Sequence, residues 1–450
     1  MKSIFVSLTF LVLCPTPPAA LWAEPPSSPP AGVAVTPEFI DQLMVEAQGR
    51  SPALQAAGAR AEAATAAVSA IRTWDDPTAT LGLWAPTSRG MPASQEGNLV
   101  YGVDQKLPLY GRPDLRRKVA AADASREQLT ADYAAEKLRL DLEVGLNNLA
   151  LAGREAEIAA QDLGWLDATL ASVDHRYRVG EASQVDWLKI ETARAMAGDD
   201  LKTKEQERSH GAFALNRLLN RTLHAPWPRV AVPVLQPPLY YAKPLIDAAL
   251  DAEPQLRVMR QESVSAQAEA DLTRRERLPD VSLGLEARQY SGDAGLREGM
   301  LTVSFSVPWL NRGRYDDDFR RDQQRQRASE LDATDQALAV REELHHHIIA
   351  LDAARRQALL YRDQLIPLTQ QTLASAQAAW ERNLGPFQDI LDAHRLLLAD
   401  RLALAQALVD QNNMFAEIAF LTGTRDPAAL VALAGDPASD HETHSTEFSP

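Results

Sequence analysis

The chain has 450 residues, 45% of them apolar, and carries a formal charge of −15. That apolar content can bury a large core, as one extended body or two compact domains, while the acidic balance argues against a nucleic-acid partner, which needs clustered Lys and Arg. Beyond the first 23 residues no run reaches about 18 consecutive apolar residues, so any bilayer crossing has to be a closed barrel.

In chain order, residues 1–23 read as a secretory signal. Lys2 is the positive start, Ile4 to Leu13 an apolar stretch too short for a span of about 20 residues, and Ala19, Ala20 and Ala23 offer a cleavage site. The lone cysteine, Cys14, lies inside this segment between Leu13 and Pro15. It lacks the small preceding residue of a lipoprotein signal and reads as part of the apolar stretch. Once the signal is removed no thiol remains, which excludes disulfides and thiolate-bound metal. Residues 24–36 form a proline-rich linker, and residues 425–450, rich in Ala, Asp, Ser, Thr and Pro, read as a disordered tail.

Between them the chain states one plan twice, over residues 37–235 and 236–424. Pro52 and Pro254, 202 positions apart, each interrupt a helical run; Pro77 and Pro279, again 202 apart, each open a strand-like run. Pro108 and Pro308 close a second run, and the turns around Gly180 and Asn383 lie 203 apart. Each copy reads as helix, strand, loop, strand, long helix, turn, long helix.

In the second copy Val281, Leu283 and Leu285 alternate with Ser282, Gly284 and Glu286, and Leu301, Val303 and Phe305 alternate with Thr302, Ser304 and Ser306. This is the period of a barrel strand with one face to lipid, and equally of a half-buried soluble hairpin. From Asp114 to Arg178 there is no proline, a helix of roughly 100 Å. Leu163, Leu166, Leu170, Val173 and Tyr177 form a coiled-coil seam on it, as do Leu391, Leu398, Leu402, Ala405 and Val409 in the second copy. Four strands do not close a barrel, so a barrel reading requires several chains to share one.

This duplicated order, with its two turn motifs, resembles the TolC-type outer-membrane efflux factor family from about Thr36 to Gly423. Gly180, Ser183 and Asp186 fit the family's tip motif; the second copy departs from it with Asn383 and Pro386. The resemblance implies a mainly α fold with a β-barrel part: a homotrimer sharing twelve strands in outer-membrane lipid above an α-helical periplasmic tunnel. It also implies docking of the tips onto a periplasmic adaptor, an inner-membrane pump of the RND type, no enzymatic activity and no cofactor.

Residues 389–395 match the segment that narrows the tunnel, so the resemblance places Asp389 and Asp392 in the pore, where threefold symmetry makes two acidic rings. An acid pair at a helix N-terminus, favoured by the helix dipole, is the competing reading. Asp186 matches a position that holds the aperture closed; its aromatic partner falls at Trp380, and the usual arginine falls at Gly385 and is lost. The stretch Tyr101 to Arg112 resembles the heavy-metal (CzcC-like) branch, with drug or solvent export as the competitor.

His345, His346 and His347 are consecutive, so on a helix they point about 100° apart and do not converge on one ion. His394 faces away from Asp392, towards a neighbouring element, and His441 and His444 fall in the tail. No phosphate loop, nucleophile elbow or metalloprotease helix is present in the sequence. A soluble periplasmic coiled-coil scaffold is the structural alternative, and cell fractionation separates it from an outer-membrane barrel.

Overall fold

The computed structural model describes residues 32–83, 97–290 and 295–435. The expected signal segment, residues 24–31 of the linker and the tail beyond residue 435 lie outside the described residues.

The first copy comprises α1 (Pro37–Arg50), α2 (Pro52–Ala70), β1 (Thr78–Leu83), β2 (Gly97–Lys106), α3 (Arg112–Arg178) and α4 (Gln184–Leu218). The second repeats the order with α5 (Lys243–Ala252), α6 (Pro254–Glu276), β3 (Val281–Tyr290), β4 (Leu296–Phe305), α7 (Arg312–Leu360), α8 (Ile366–Glu381) and α9 (Phe387–Thr422). Proline at the first turn of α2 and α6 explains the paired interruptions, because a missing N–H costs nothing there. Before α6, Glu253 accepts hydrogen bonds from the amides of Gln255, at 2.9 Å, and Leu256.

The two long hairpins differ. With 67 residues, α3 runs unbroken for roughly 100 Å. Its counterpart is split into α7 and α8 by a π turn at Tyr361–Leu365, directly ahead of Pro367, whose ring and missing N–H disrupt the regular ladder.

Residues 425–450 were expected to be disordered. That expectation fails at its start, where Pro427–Ala434 forms α10. Asp426 caps it by accepting from the Ala428 amide at 3.0 Å, and Leu430, fully buried, enters the second core.

The strands form one antiparallel sheet in the order β1-β2-β3-β4. Leu81 pairs with Tyr101, Val103 with Leu285 and Leu285 with Leu301, so these share a face with Leu83, Leu283, Val303 and Phe305. That face is open: Leu81, Leu83, Leu285 and Leu301 keep 72%, 81%, 64% and 74% of their surface exposed. The other face carries Thr80, Gly102, Asp104, Glu286, Thr302 and Ser304. Among the described residues no further strand pairs with the outer edges of β1 and β4.

The buried interior lies instead among the helices, in three clusters. One gathers Ile40, Leu43, Leu142, Leu146 and Leu215, a second Leu245, Val340, Leu344, Ile418 and Leu430. The third lies near the hairpin tips, with Leu166, Val173, Ile190, Trp380, Phe387 and Ile390. Within the first seam Leu166 and Val173 are buried while Tyr177, nearest the tip, is 42% exposed.

Candidate aperture at the hairpin tips

The α3–α4 turn is made by backbone that an ordinary side chain resists: Gly180 has φ +82°. Ser183 then caps α4, its Oγ accepting from the Asp186 amide at 3.1 Å and donating to Asp186 Oδ2 at 2.7 Å. At the α8–α9 turn Asn383 takes the left-handed conformation, φ +59°, which asparagine tolerates better than most residues. Pro386 occupies the cap of α9 and offers no side-chain bond. A Cβ at Gly385 would lie 3.2 Å from the Ala379 Cβ, so a side chain there would push that neighbour by a few tenths of an ångström.

Asp389 and Asp392 occupy the first two turns of α9 and are both exposed, while Phe387, Ile390 and Leu391 between and beside them are buried. The apolar residues thus anchor the helix and leave one acidic face free. Asp392 accepts from Gln388 Nε2 at 2.9 Å and lies 3.8 Å from the exposed Arg395. An exposed pair of that length does little to quench its charge.

The family resemblance implies Trp380 as the aromatic partner of Asp186, but in this protein Asp186 closes on its own turn through Ser183. Trp380, 8% exposed, instead receives Arg176 from α3, with the guanidinium carbon 4.1 Å from the ring centroid. Arg176 also donates to Asn383 Oδ1 at 2.9 Å and approaches Glu181 at 3.6 Å. Arg176 thus joins the two hairpins at their tips. Sequence reading overlooked Arg176; its one signal was a basic residue in the last turn of α3.

Higher on α9, His394 is buried with its Nε2 2.8 Å from Asp162 Oδ1, its ring stacked on Trp165 at 3.6 Å and 12°. This matches the expectation that it packs away from the acids. Of the three consecutive histidines, His345 meets the edge of Tyr241 at 5.0 Å, the His346 and His347 rings meet edge to face at 5.8 Å, and His347 lies 3.6 Å from Glu343. Among the described residues no group of three or more His, Cys, Asp or Glu could hold a metal ion, and His441 and His444 lie outside those residues.

Burial pushes the Glu143 carboxyl on α3 above the ordinary range, against the pull of Arg139. Glu417 on α9 is likewise raised, first by burial, with Lys137 and His347 opposing and Glu343 and Asp141 adding.

The sequence profile of the outer membrane efflux protein family matches residues 43–221 and 245–424, one match per copy of the duplicated plan. The nickel and cobalt resistance protein CnrC of Cupriavidus metallidurans is 26% identical over 304 residues, 66% of this chain and 69% of that one. Among solved structures, CusC superposes with a TM-score of 0.73 at 16% identity, over 86% of this chain and 92% of its own. The outer membrane protein VceC of Vibrio cholerae gives 0.71 at 16% identity, over 86% and 96%. Two matches to the profile, one in each copy of the plan, and a shared fold leave one assignment: the chain belongs to the outer membrane efflux protein family, and is a non-enzymatic transport component of the outer membrane.

Proposed function

We propose that the protein is the exit duct of a tripartite efflux system, in which three copies close a twelve-stranded barrel over a helical tunnel that crosses the periplasm. The observation that carries this reading is the sheet: an exposed apolar face, a polar face behind it and two unpaired edges. Lipid is the solvent that suits the first, a water-filled lumen suits the second, and edges in a bilayer must be closed. The long hairpins reach away from the sheet and end at the tips around Gly180 and Asn383. There a periplasmic adaptor docks, and an inner-membrane pump of the RND type supplies the energy.

The cargo is a heavy-metal cation. The similarity to a nickel and cobalt resistance protein supports this choice, and so does the chemistry of the tip. Asp389 and Asp392, tripled about the pore axis, form two rings of fixed negative charge at the narrowest point, which favour cations over anions. The duct binds no cofactor; a cation in transit is cargo.

A deletion strain challenged with nickel, cobalt, zinc, copper, cadmium and a panel of drugs tests the substrate class. Sensitisation to the divalent metals is the expected result, and sensitisation to drugs alone refutes the metal reading. Asp389→Asn/Asp392→Asn in planar bilayers is expected to lose cation preference while still conducting.

A further inference from the structure

One junction is built differently in the two copies of the plan. α1 passes into α2 through Ser51-Pro52, and α5 into α6 through Glu253-Pro254, 202 positions on. The backbone is closely similar at Ser51 (φ −67°, ψ 117°) and Glu253 (φ −54°, ψ 120°). In the second copy the Glu253 carboxyl folds back onto the Gln255 and Leu256 amides, so its oxygens sit on the positive end of α6. In the first copy Ser51, 3% exposed, gives α2 no side-chain cap. The first amides of α2, which helix geometry leaves without an acceptor, gain none from it.

The charges are exchanged as well. Beside the start of α2 lies an open cleft of about 670 Å³ lined by Arg50, Pro52, Gln55, Asn220, Arg221 and Thr222, and among the described residues no acid is in its wall. Two guanidiniums there share one carboxylate. Glu46 accepts from Arg50 Nη1 at 2.9 Å and from Arg221 Nε and Nη2 at 2.9 and 2.5 Å. The Arg221 hydrogen bond holds the Glu46 carboxyl below its ordinary range against the effect of burial, so it stays ionised and one positive charge is left over. Arg221 is steadied by Trp227, whose ring centroid lies 4.7 Å from the guanidinium carbon.

The second copy lacks both arginines. Asn220 and Gly423, 203 positions apart, take the same left-handed turn at the ends of α4 and α9, which puts Thr424 where Arg221 stands; Ala252 stands in the place of Arg50. With no cation beside it, Glu253 is pushed above the ordinary carboxylate range by burial, against the pull of its two amide bonds. Where the carboxylate is built in the arginines are missing, and where the arginines stand the carboxylate is missing.

We propose that the cleft at the start of α2 binds a carboxylate from outside the chain, held by Arg50 and Arg221 and favoured by the positive end of the helix. The site lies at the end of α4 remote from the tip, apart from the aperture and the sheet. Arg221 spends Nε and Nη2 on Glu46, which leaves Nη1 for a ligand, and Arg50, 60% exposed, can turn its planar fork onto the same group. The carboxylate belongs to a small organic acid or to an acidic side chain of a partner protein.

The test is calorimetric titration of the full mature chain in detergent, at neutral pH and low salt, with succinate and with a glutamate-rich peptide as probes. Saturable binding of succinate assigns a free organic acid, and binding of the peptide alone assigns a partner's side chain. Ser51→Glu installs the arrangement of the second copy in the first; it is expected to abolish binding of either probe and to raise the melting temperature. Arg50→Gln, at an exposed position, is expected to weaken binding about tenfold, as for the loss of one hydrogen bond to a charged group, with helix content retained. Absence of binding by both probes, or binding unchanged in Ser51→Glu and Arg50→Gln alike, overturns the proposal.

Discussion

At the scale of single residues, Arg176 decides how the two tips meet. It lies on the first hairpin, yet its guanidinium covers Trp380 and holds Asn383 on the second. A desolvated cation–π contact of this kind is worth about 2 kcal/mol. Arg176→Ala is therefore expected to loosen α9 and raise single-channel conductance in planar bilayers. Arg176→Lys should not restore the wild-type value, because an ammonium cannot stack on the ring and serve Asn383 from one plane. Conductance unchanged in both variants would show that the tips are held elsewhere. Asp389 and Asp392 lie in a stretch that the family resemblance marks, and their exposed placement at the start of α9 is what the proposed aperture requires. The partner of Trp380 was not legible in the sequence: the motif locates positions on one hairpin, and the side chain that fills the space arrives from another, 207 residues earlier than Asn383.

At the scale of elements, the two tip turns differ in capping. Ser183 caps α4 with a side-chain bond that Pro386 cannot provide for α9. Loss of such a cap costs about 1 kcal/mol, so Ser183→Ala is expected to speed amide exchange in the first turn of α4, while Pro386→Ser slows it in α9. The helices also bury two acids at a cost. With the folded pKa of Glu143 and Glu417 raised by burial, the folded state prefers them protonated. Their stabilisation is present at low pH and is lost as pH rises from the ordinary value of 4.5 through the folded one. Glu143→Gln and Glu417→Gln should melt higher than wild type at neutral pH, with the advantage disappearing on acidification. The elements themselves were legible wherever proline, alternation or a long proline-free run marked them. The helix α10 was obscured by the polar, proline-rich composition around it, although Asp426-Pro427 is a helix-starting pair in plain view.

At the scale of the whole molecule, duplication was the strongest signal in the sequence, because offsets near 202 between Pro52 and Pro254 and between Pro77 and Pro279 need no knowledge of contacts. What offsets alone left out is how the copies join, which depends on the bond from Arg112 to Asp280 and on which sheet edges stay open. The open apolar face predicts that the mature protein is recovered from membranes only with detergent, as a heat-modifiable oligomer; a water-soluble monomer would contradict the duct.

The π turn at Tyr361–Leu365 gives the two hairpins unequal mechanics. α3 keeps one regular ladder along its length, while its counterpart changes hydrogen-bond spacing at the π turn between α7 and α8, ahead of Asp389 and Asp392. A bend during opening is therefore expected in the second hairpin, at this turn. Spin-label pairs spanning the π turn should show broad distance distributions that narrow in Pro367→Ala, and pairs of equal spacing along α3 should stay sharp throughout.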